Sequence, residues 1–189
     1  MNRFARFVAP AVAAFALLAG ASISRAADGE NPEYKSWAGQ KVGTVVKYHM
    51  TTNGAAKMEM DRSVKLIEIK PEAIVVEDTT VMEVSGQKIN SPAQKRSIPA
   101  KGAAAGAGNG NAAAGGAAAK ESEENVEVAG KSYKCKVVEA TNDANGMKTK
   151  SKTWTSTDVP GYIVKMTATT EGAAKSETSM TLTGIEAAK

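Results

Sequence analysis

The chain is short of the residues that reactive sites and stapled folds need. It has one cysteine, Cys135, and one histidine, His49. A lone cysteine closes no internal disulfide, so the fold must hold by its core. A zinc site draws three or four ligands from histidine, cysteine and carboxylate, and one cysteine with one histidine falls short. A Cys–His nucleophilic pair would need the two together. Cys135 instead shares a strand face with Tyr133 and Val137 and reads as a small buried hydrophobe. His49 alternates onto the polar face of its own strand and reads as exposed. No glycine-rich run has the strand-to-helix setting and lysine spacing of a phosphate loop. No G-x-S-x-G elbow occurs. Asp61, Glu68, Glu77, Asp78 and Glu83 read as a solvated face. The expectation is a non-enzymatic protein with no metal, no cofactor and no catalytic residue.

Phenylalanine and excess charge are scarce for a different reason: both sit in the first 26 residues. Arg3 and Arg6 make a positive start, and Phe7 to Ala21 is an almost unbroken apolar run. About fifteen residues is too short to span a hydrocarbon core, which takes about 20. Ser24-Arg25-Ala26 supplies small residues where a signal peptidase inspects them. Residues 1–26 therefore read as a cleavable secretory signal peptide, cut after Ala26. The separated arginines exclude a twin-arginine signal, and no cysteine follows the apolar run to carry a lipid anchor. The expected location is the periplasm or the medium. No later segment is apolar enough to span, so the processed chain is not expected to be an integral membrane protein.

Setting the signal aside changes the composition. All three phenylalanines (Phe4, Phe7, Phe15) leave with it. So do Arg3, Arg6 and Arg25, which turns a net charge of +4 into 21 basic against 20 acidic residues. The apparent basicity belongs to targeting and gives no support to nucleic-acid binding. What remains holds 14 Val, 7 Ile, 7 Met and 16 Thr against only Leu66 and Leu182. β-Branched side chains are stiff at χ1 and pack well on a pleated surface. The imbalance predicts a mainly β fold.

The pattern along the chain agrees. Residues 27–39 read as a loose lead-in. Strands alternate from Val42 onward, broken by turn signals at Asn53-Gly54, Lys70-Pro71-Glu72, Ser85-Gly86-Gln87, Ala129-Gly130, Asn142 to Gly146, Val159-Pro160-Gly161 and Glu171-Gly172. A phase slip near Ile67 predicts a bulge or a bend in the strand, and the pattern is irregular near Glu77-Asp78. Pro92 and Pro99 mark Lys88 to Ile98 as an edge strand or loop. Residues 101–124 read as a low-complexity, disordered Gly/Ala insertion inside a hairpin-like connection. The domain plan is one β domain over 40–186, interrupted by that insertion. About eight or nine antiparallel strands should form a meander, bent into a curved sheet or half-barrel.

Two sets of residues invite a binding role. The apolar face is rich in methionine (Met50, Met58, Met60, Met82, Met147, Met166, Met180). Methionine adapts to irregular apolar partners, so a sheet lined by Met58, Met60, Leu66, Met166 and Met180 could hold a lipid or acyl chain. Filling an ordinary core is the alternative. A carrier of this kind calls for a cavity above about 300 Å³ lined by that face. Lys148, Lys150 and Lys152 alternate along another strand. They make either a basic face for anionic headgroups or a solvated strand that lysine protects against edge pairing.

Trp154 to Met166 (WTSTDVPGYIVKM) and Val128 to Cys135 (VAGKSYKC) carry a resemblance. The first is similar to a W-x-S…V-P-G-x-(I/V)-V-K stretch of small exported bacterial proteins, where it precedes a closing pair of strands. The strand order over 126–186 resembles, distantly, the periplasmic lipoprotein-carrier (LolA-like) half-barrels. That resemblance implies an incomplete antiparallel barrel closing over a helix and holding acyl chains. The chain departs from that pattern in its lack of phenylalanine and of a clear amphipathic plug helix. The sequence thus points to an exported β protein that binds a lipid-like ligand or an envelope partner. The alternatives are an interaction module with a filled core and no ligand and, third, an enzyme.

Overall fold

The computed structural model describes residues 29–84, 86–102, 118–144, 146–172 and 175–189. Residues 1–28, which include the segment read as a signal peptide, and residues 103–117 of the Gly/Ala stretch lie outside them. Nine strands follow one short helix: α1 (Pro32–Ala38), β1 (Val45–Asn53), β2 (Lys57–Ile69), β3 (Ala73–Val84), β4 (Gln87–Pro99), β5 (Ala118–Val128), β6 (Lys131–Ala144), β7 (Met147–Thr155), β8 (Ile163–Glu171) and β9 (Ser176–Glu186). All nine lie in one sheet, in the order β4-β3-β2-β1-β9-β8-β7-β6-β5. Every pairing is antiparallel. The mainly β meander expected from the sequence is what forms, and it does not close into a barrel.

The two halves of the chain join at the centre of the sheet, where β1 pairs β9 from Asn53↔Glu177 to Val45↔Glu186. β4 and β5 are the two outer strands, so the Gly/Ala segment runs between opposite edges of the sheet. The hairpin-like connection read from the sequence is therefore corrected. β5 begins at Ala118, so residues 118–124, expected to be disordered, are strand. Their small and charged composition, Ala-Ala-Lys-Glu-Ser-Glu-Glu, hid them, because an edge strand needs no apolar face of its own. The slip and the irregularity are register shifts, one between Leu66 and Glu68 and one between Asp78 and Thr80. Pro92 and Pro99 sit on the outer strand β4, as ladder chemistry requires.

The N-terminal lead-in is also corrected, since Pro32–Ala38 is helix. Asn31 caps it, its side-chain oxygen accepting from the backbone N–H of Glu33 at 2.9 Å and of Tyr34 at 3.4 Å. Pro32 occupies the first turn, where its missing N–H costs nothing. Backbone bonds tie the cap to the sheet: Asn31 N–H donates to the Ala100 carbonyl. Tyr34 Oη reaches the carbonyls of Lys70 and Pro71 at the β2–β3 turn.

α1 covers one end of the sheet. Trp37 is fully buried there with Val46, Leu66, Ile74, Val76 and Ile98. The loop between β7 and β8 closes over the same end and adds Val159, also fully buried. Gly161 N–H donates to Ser36 Oγ at 3.1 Å, which stitches loop to helix. Gly161 holds φ +86, and a Cβ there would come within 2.9 Å of Tyr48 Oη, so only glycine fits. The V-P-G turn thus acts as a roof over the core.

Candidate functional site

Strand register sorts the side chains into rows across the sheet, because residues directly opposite share a face. One row is built largely of methionine. Met82 faces Met60, Met60 faces Met50, Met50 faces Met180, and Met180 faces Met166. Ile89 extends the row on β4 and Thr153 ends it on β7. Five methionines on five neighbouring strands, with Ile89 beside them, span about 24 Å at the usual strand spacing. Met60 and Met180 are buried, at 8% and 3% exposed, whereas Met50, Met82 and Met166 are half-buried and Ile89 is 50% exposed.

The next row toward the β1–β2 turn holds Val84, Met58, Thr52, Thr178 and Ala168. Thr52 and Thr178 share a hydrogen bond of 3.2 Å between their hydroxyls. Of the ligand face named from the sequence, Met60, Met166 and Met180 lie in one row and Met58 lies in the adjoining one. Leu66 stands apart, fully buried at the helix-covered end. Its sequence phase matched the others, but strand alternation does not say how far along the strand the cover reaches.

The opposite face of the same strands is polar. His49 sits across from Asp61 and Thr181, and its Nδ1 lies 2.8 Å from Asp61 Oδ1. Cys135 is fully buried, and burial, then the Glu124 charge, pushes its thiol pKa above the ordinary value. That is the reverse of what a thiolate nucleophile needs.

The lysine row is interleaved with acids. Lys148 lies opposite Asp143 on β6 and Glu171 on β8. Lys152 bridges Glu124 at 2.7 Å and Glu139 at 3.1 Å. The same Glu124 accepts from Trp154 Nε1 at 2.7 Å, and the Lys152 and Lys165 ammoniums lie 4.9 and 5.2 Å from the indole centroid. Hydrogen bonds from Lys152 and then Trp154 hold the Glu124 carboxyl below the usual range. Lys148 and Lys150 are exposed.

A cluster not anticipated from the sequence lies between the methionine row and α1. Arg62 on β2 and Arg96 on β4 both bond Asp78 on β3, at 2.7 and 3.0 Å from their Nε atoms. Arg96 Nη2 continues to Glu33 Oε1 at 2.6 Å. The chain Arg62–Asp78–Arg96–Glu33 balances two cations with two anions and ends on a carboxylate only 1% exposed. Asp78 was read as part of a solvated face, and its side chain is 16% exposed. It keeps the alternation of the buried Ile74 and Val76 and so faces inward, where Arg62 and Arg96 pair it.

Among the described residues, neither of two hollows is a methionine-lined cavity of carrier size. One, of about 10 Å³, lies at the ion chain. The other, of about 190 Å³, opens among Thr51, Thr167, Thr169, Thr178 and Ser179 near the β1–β2 and β8–β9 turns. Among the described residues no helix is long and apolar enough to cross a membrane, and no group of three or more His, Cys, Asp or Glu could hold a metal.

No family model and no curated protein matches the chain. Solved structures do. A candidate lipoprotein from Parabacteroides distasonis aligns over 78% of this chain and 96% of its own, with a TM-score of 0.46 and 12% identity. A candidate exported protein with a YmcC-like fold from Bacteroides fragilis aligns over 78% and 97%, at 0.44 and 9%. A LolA superfamily protein from Nitrosomonas europaea aligns over 84% and 92%, at 0.26 and 10%. These are likenesses of strand arrangement. No residue role or activity is carried from them.

Proposed function

We propose that this is an exported, non-enzymatic protein whose methionine row receives an apolar, lipid-like ligand laid across the open face of the sheet. The observation that carries the reading is the row itself: five methionines in register on neighbouring strands, three of them half-buried. Methionine is unbranched and polarizable, so it fills its own space when alone and re-packs around a guest. The 10 Å³ hollow argues against an enclosed chamber on this face, so the ligand lies on the sheet. The filled, helix-covered end favours a second reading, an envelope interaction module with no small ligand.

Native mass spectrometry of protein purified from the periplasm separates the two. Lipid adducts are expected, and they should diminish when Met50 and Met166 are both changed to glutamate. Repeated absence of adducts from the unmodified protein rejects the ligand reading and leaves the interaction module.

A further inference from the structure

Beneath the methionine row, three buried polar atoms have no partner: Glu33 Oε2, Arg96 Nη1 and Trp37 Nε1. Two of the residues, Glu33 and Arg96, line one hollow, and Trp37 borders it. Glu33, Tyr48, Arg62, Arg96, Gly161 and Met180 line a single hollow of about 10 Å³. Trp37 packs beside Gly161, a lining residue: a Cβ on that glycine would lie 2.9 Å from Tyr48 Oη and 3.8 Å from Trp37 Nε1. Glu33 and Trp37 are four residues apart on α1, hence on one helix face. The hollow's volume is about the least that holds one water molecule.

The donors and acceptors specify what fits. Arg96 Nη1 and Trp37 Nε1 can only donate, Glu33 Oε2 can only accept, and the Tyr48 hydroxyl can do either. A group satisfying all of them must accept two hydrogen bonds and give at least one. A carboxylate has no proton for Glu33 and would set two negative charges together. An ammonium has no lone pair for Arg96 or Trp37.

We propose that this pocket is a binding site for one uncharged hydroxyl oxygen. Two sources supply that chemistry. One is a water molecule. The other is the hydroxyl head of an amphiphile whose chain lies along the methionine row, since Met180 belongs to the row and also lines the pocket. The second source rests on the apolar-ligand reading above, and the first does not.

The test has two arms on the processed full-length protein. A crystal structure of the protein alone, at a resolution that shows waters, should contain an ordered oxygen about 2.6–3.2 Å from Glu33 Oε2 and from Arg96 Nη1 or Trp37 Nε1. Calorimetric titration should then compare 1-decanol, decanoate and decylamine, which share a chain and differ in head group. If the amphiphile is the source, decanol binds at least about tenfold tighter than either charged analogue, the cost of one hydrogen bond to a charged group left unmade. Glu33→Gln then narrows that preference. If the oxygen is present and the three bind equally or not at all, water is the source and the site stands. Absence of any binding rejects the apolar-ligand reading alone. The proposal is overturned if the three buried atoms pair directly with no oxygen between them, or if decanoate seats its carboxylate against Glu33.

Discussion

Changing Glu33 to glutamine tests the ion chain that fastens α1 to the sheet. The substitution keeps the side-chain volume and removes one charge. Glu33 is 1% exposed, and its Oε1 takes a 2.6 Å bond from Arg96. Removing one partner of a buried pair costs about 3–5 kcal/mol, because the other charge is left without compensation. Two features lower that figure here. Arg96 keeps Asp78 at 3.0 Å. Its side chain is also 29% exposed, so solvent screens part of the residual charge. The expected loss is about 2–3 kcal/mol, which for a domain of this size lowers Tm by about 5–10 °C. Arg96→Met should cost at least as much, because it strands the more deeply buried carboxylate. The double variant should lose clearly less than the sum of the singles, since each change removes the same interaction. Urea unfolding followed by far-UV circular dichroism measures all four proteins. A loss below about 0.5 kcal/mol for Glu33→Gln, or strict additivity, would refute the assignment of α1 docking to this chain.

Three further outcomes follow from single sites. Burial holds the Tyr48 phenol above its ordinary value of 10.0. The folded state therefore keeps a proton that the unfolded state releases, and stability is unaffected below pH 10 and falls above it. The fall reaches about 1.4 kcal/mol per pH unit from this group, and Tyr48→Phe should flatten that part of the curve in urea unfolding between pH 9 and 11. Cys135, fully buried with its thiol pKa raised by burial, should react with a disulfide reagent on the order of a hundredfold more slowly in the native state than in urea; comparable rates would place it at the surface. Asn31→Ala removes the cap of α1 and should cost about 1 kcal/mol by thermal melting, with Asn31→Asp restoring most of it.

The sequence made the strands plain and the helix-end chemistry opaque, for one physical reason. A two-residue period reports which side of a strand is buried. It reports that well where a whole face is apolar, as along Val46, Tyr48 and Met50, and it pointed to the register shifts beside Leu66 and Asp78 but not to those beside Tyr48 and Trp154. It says nothing about neighbours across the sheet. The methionines were visible one by one, yet their alignment into a row follows only from the β1–β9 pairing, which joins Met50 to Met180. Asp78 looked like an ordinary surface charge because its partners, Arg62 and Arg96, lie on two other strands. The α1 helix was missed because its 7 residues give too few turns for a helical period. The Asn-Pro pair that caps it reads equally well as a turn. Lys148, Lys150 and Lys152 show the same limit. The alternation was clear, but the acids beside Lys148 and Lys152 come from β5, β6 and β8.

The two ends of the sheet solve the same problem with different side chains, and that difference bears on the ligand reading. Where α1 and the β7–β8 loop provide a cover, the face is filled by Val46, Val76, Ile74, Ile98 and Leu66, all fully buried. Branched side chains of this kind have few rotamers and suit a partner that never leaves. One to three rows on, where that cover ends, the residues change to methionine, threonine and alanine. A surface that faced only water would gain most from the polar residues found on the other side of these strands: Glu59, Asp61, Thr181 and Ser179. Methionine there keeps the face apolar while leaving it three flexible torsions per side chain. Met60 and Met180 show the consequence, since they are nearly buried among their neighbours while Met50, Met82 and Met166 remain half-exposed. A face built this way is closed on itself when empty and loses little by opening. Replacing Met50, Met82 and Met166 together with valine tests the point. If the row serves only as packing, the folded state should tolerate the change and lipid adducts should be unaltered. If the row accommodates a guest, adducts should fall while the unfolding midpoint moves little, because half-exposed positions contribute little burial to lose.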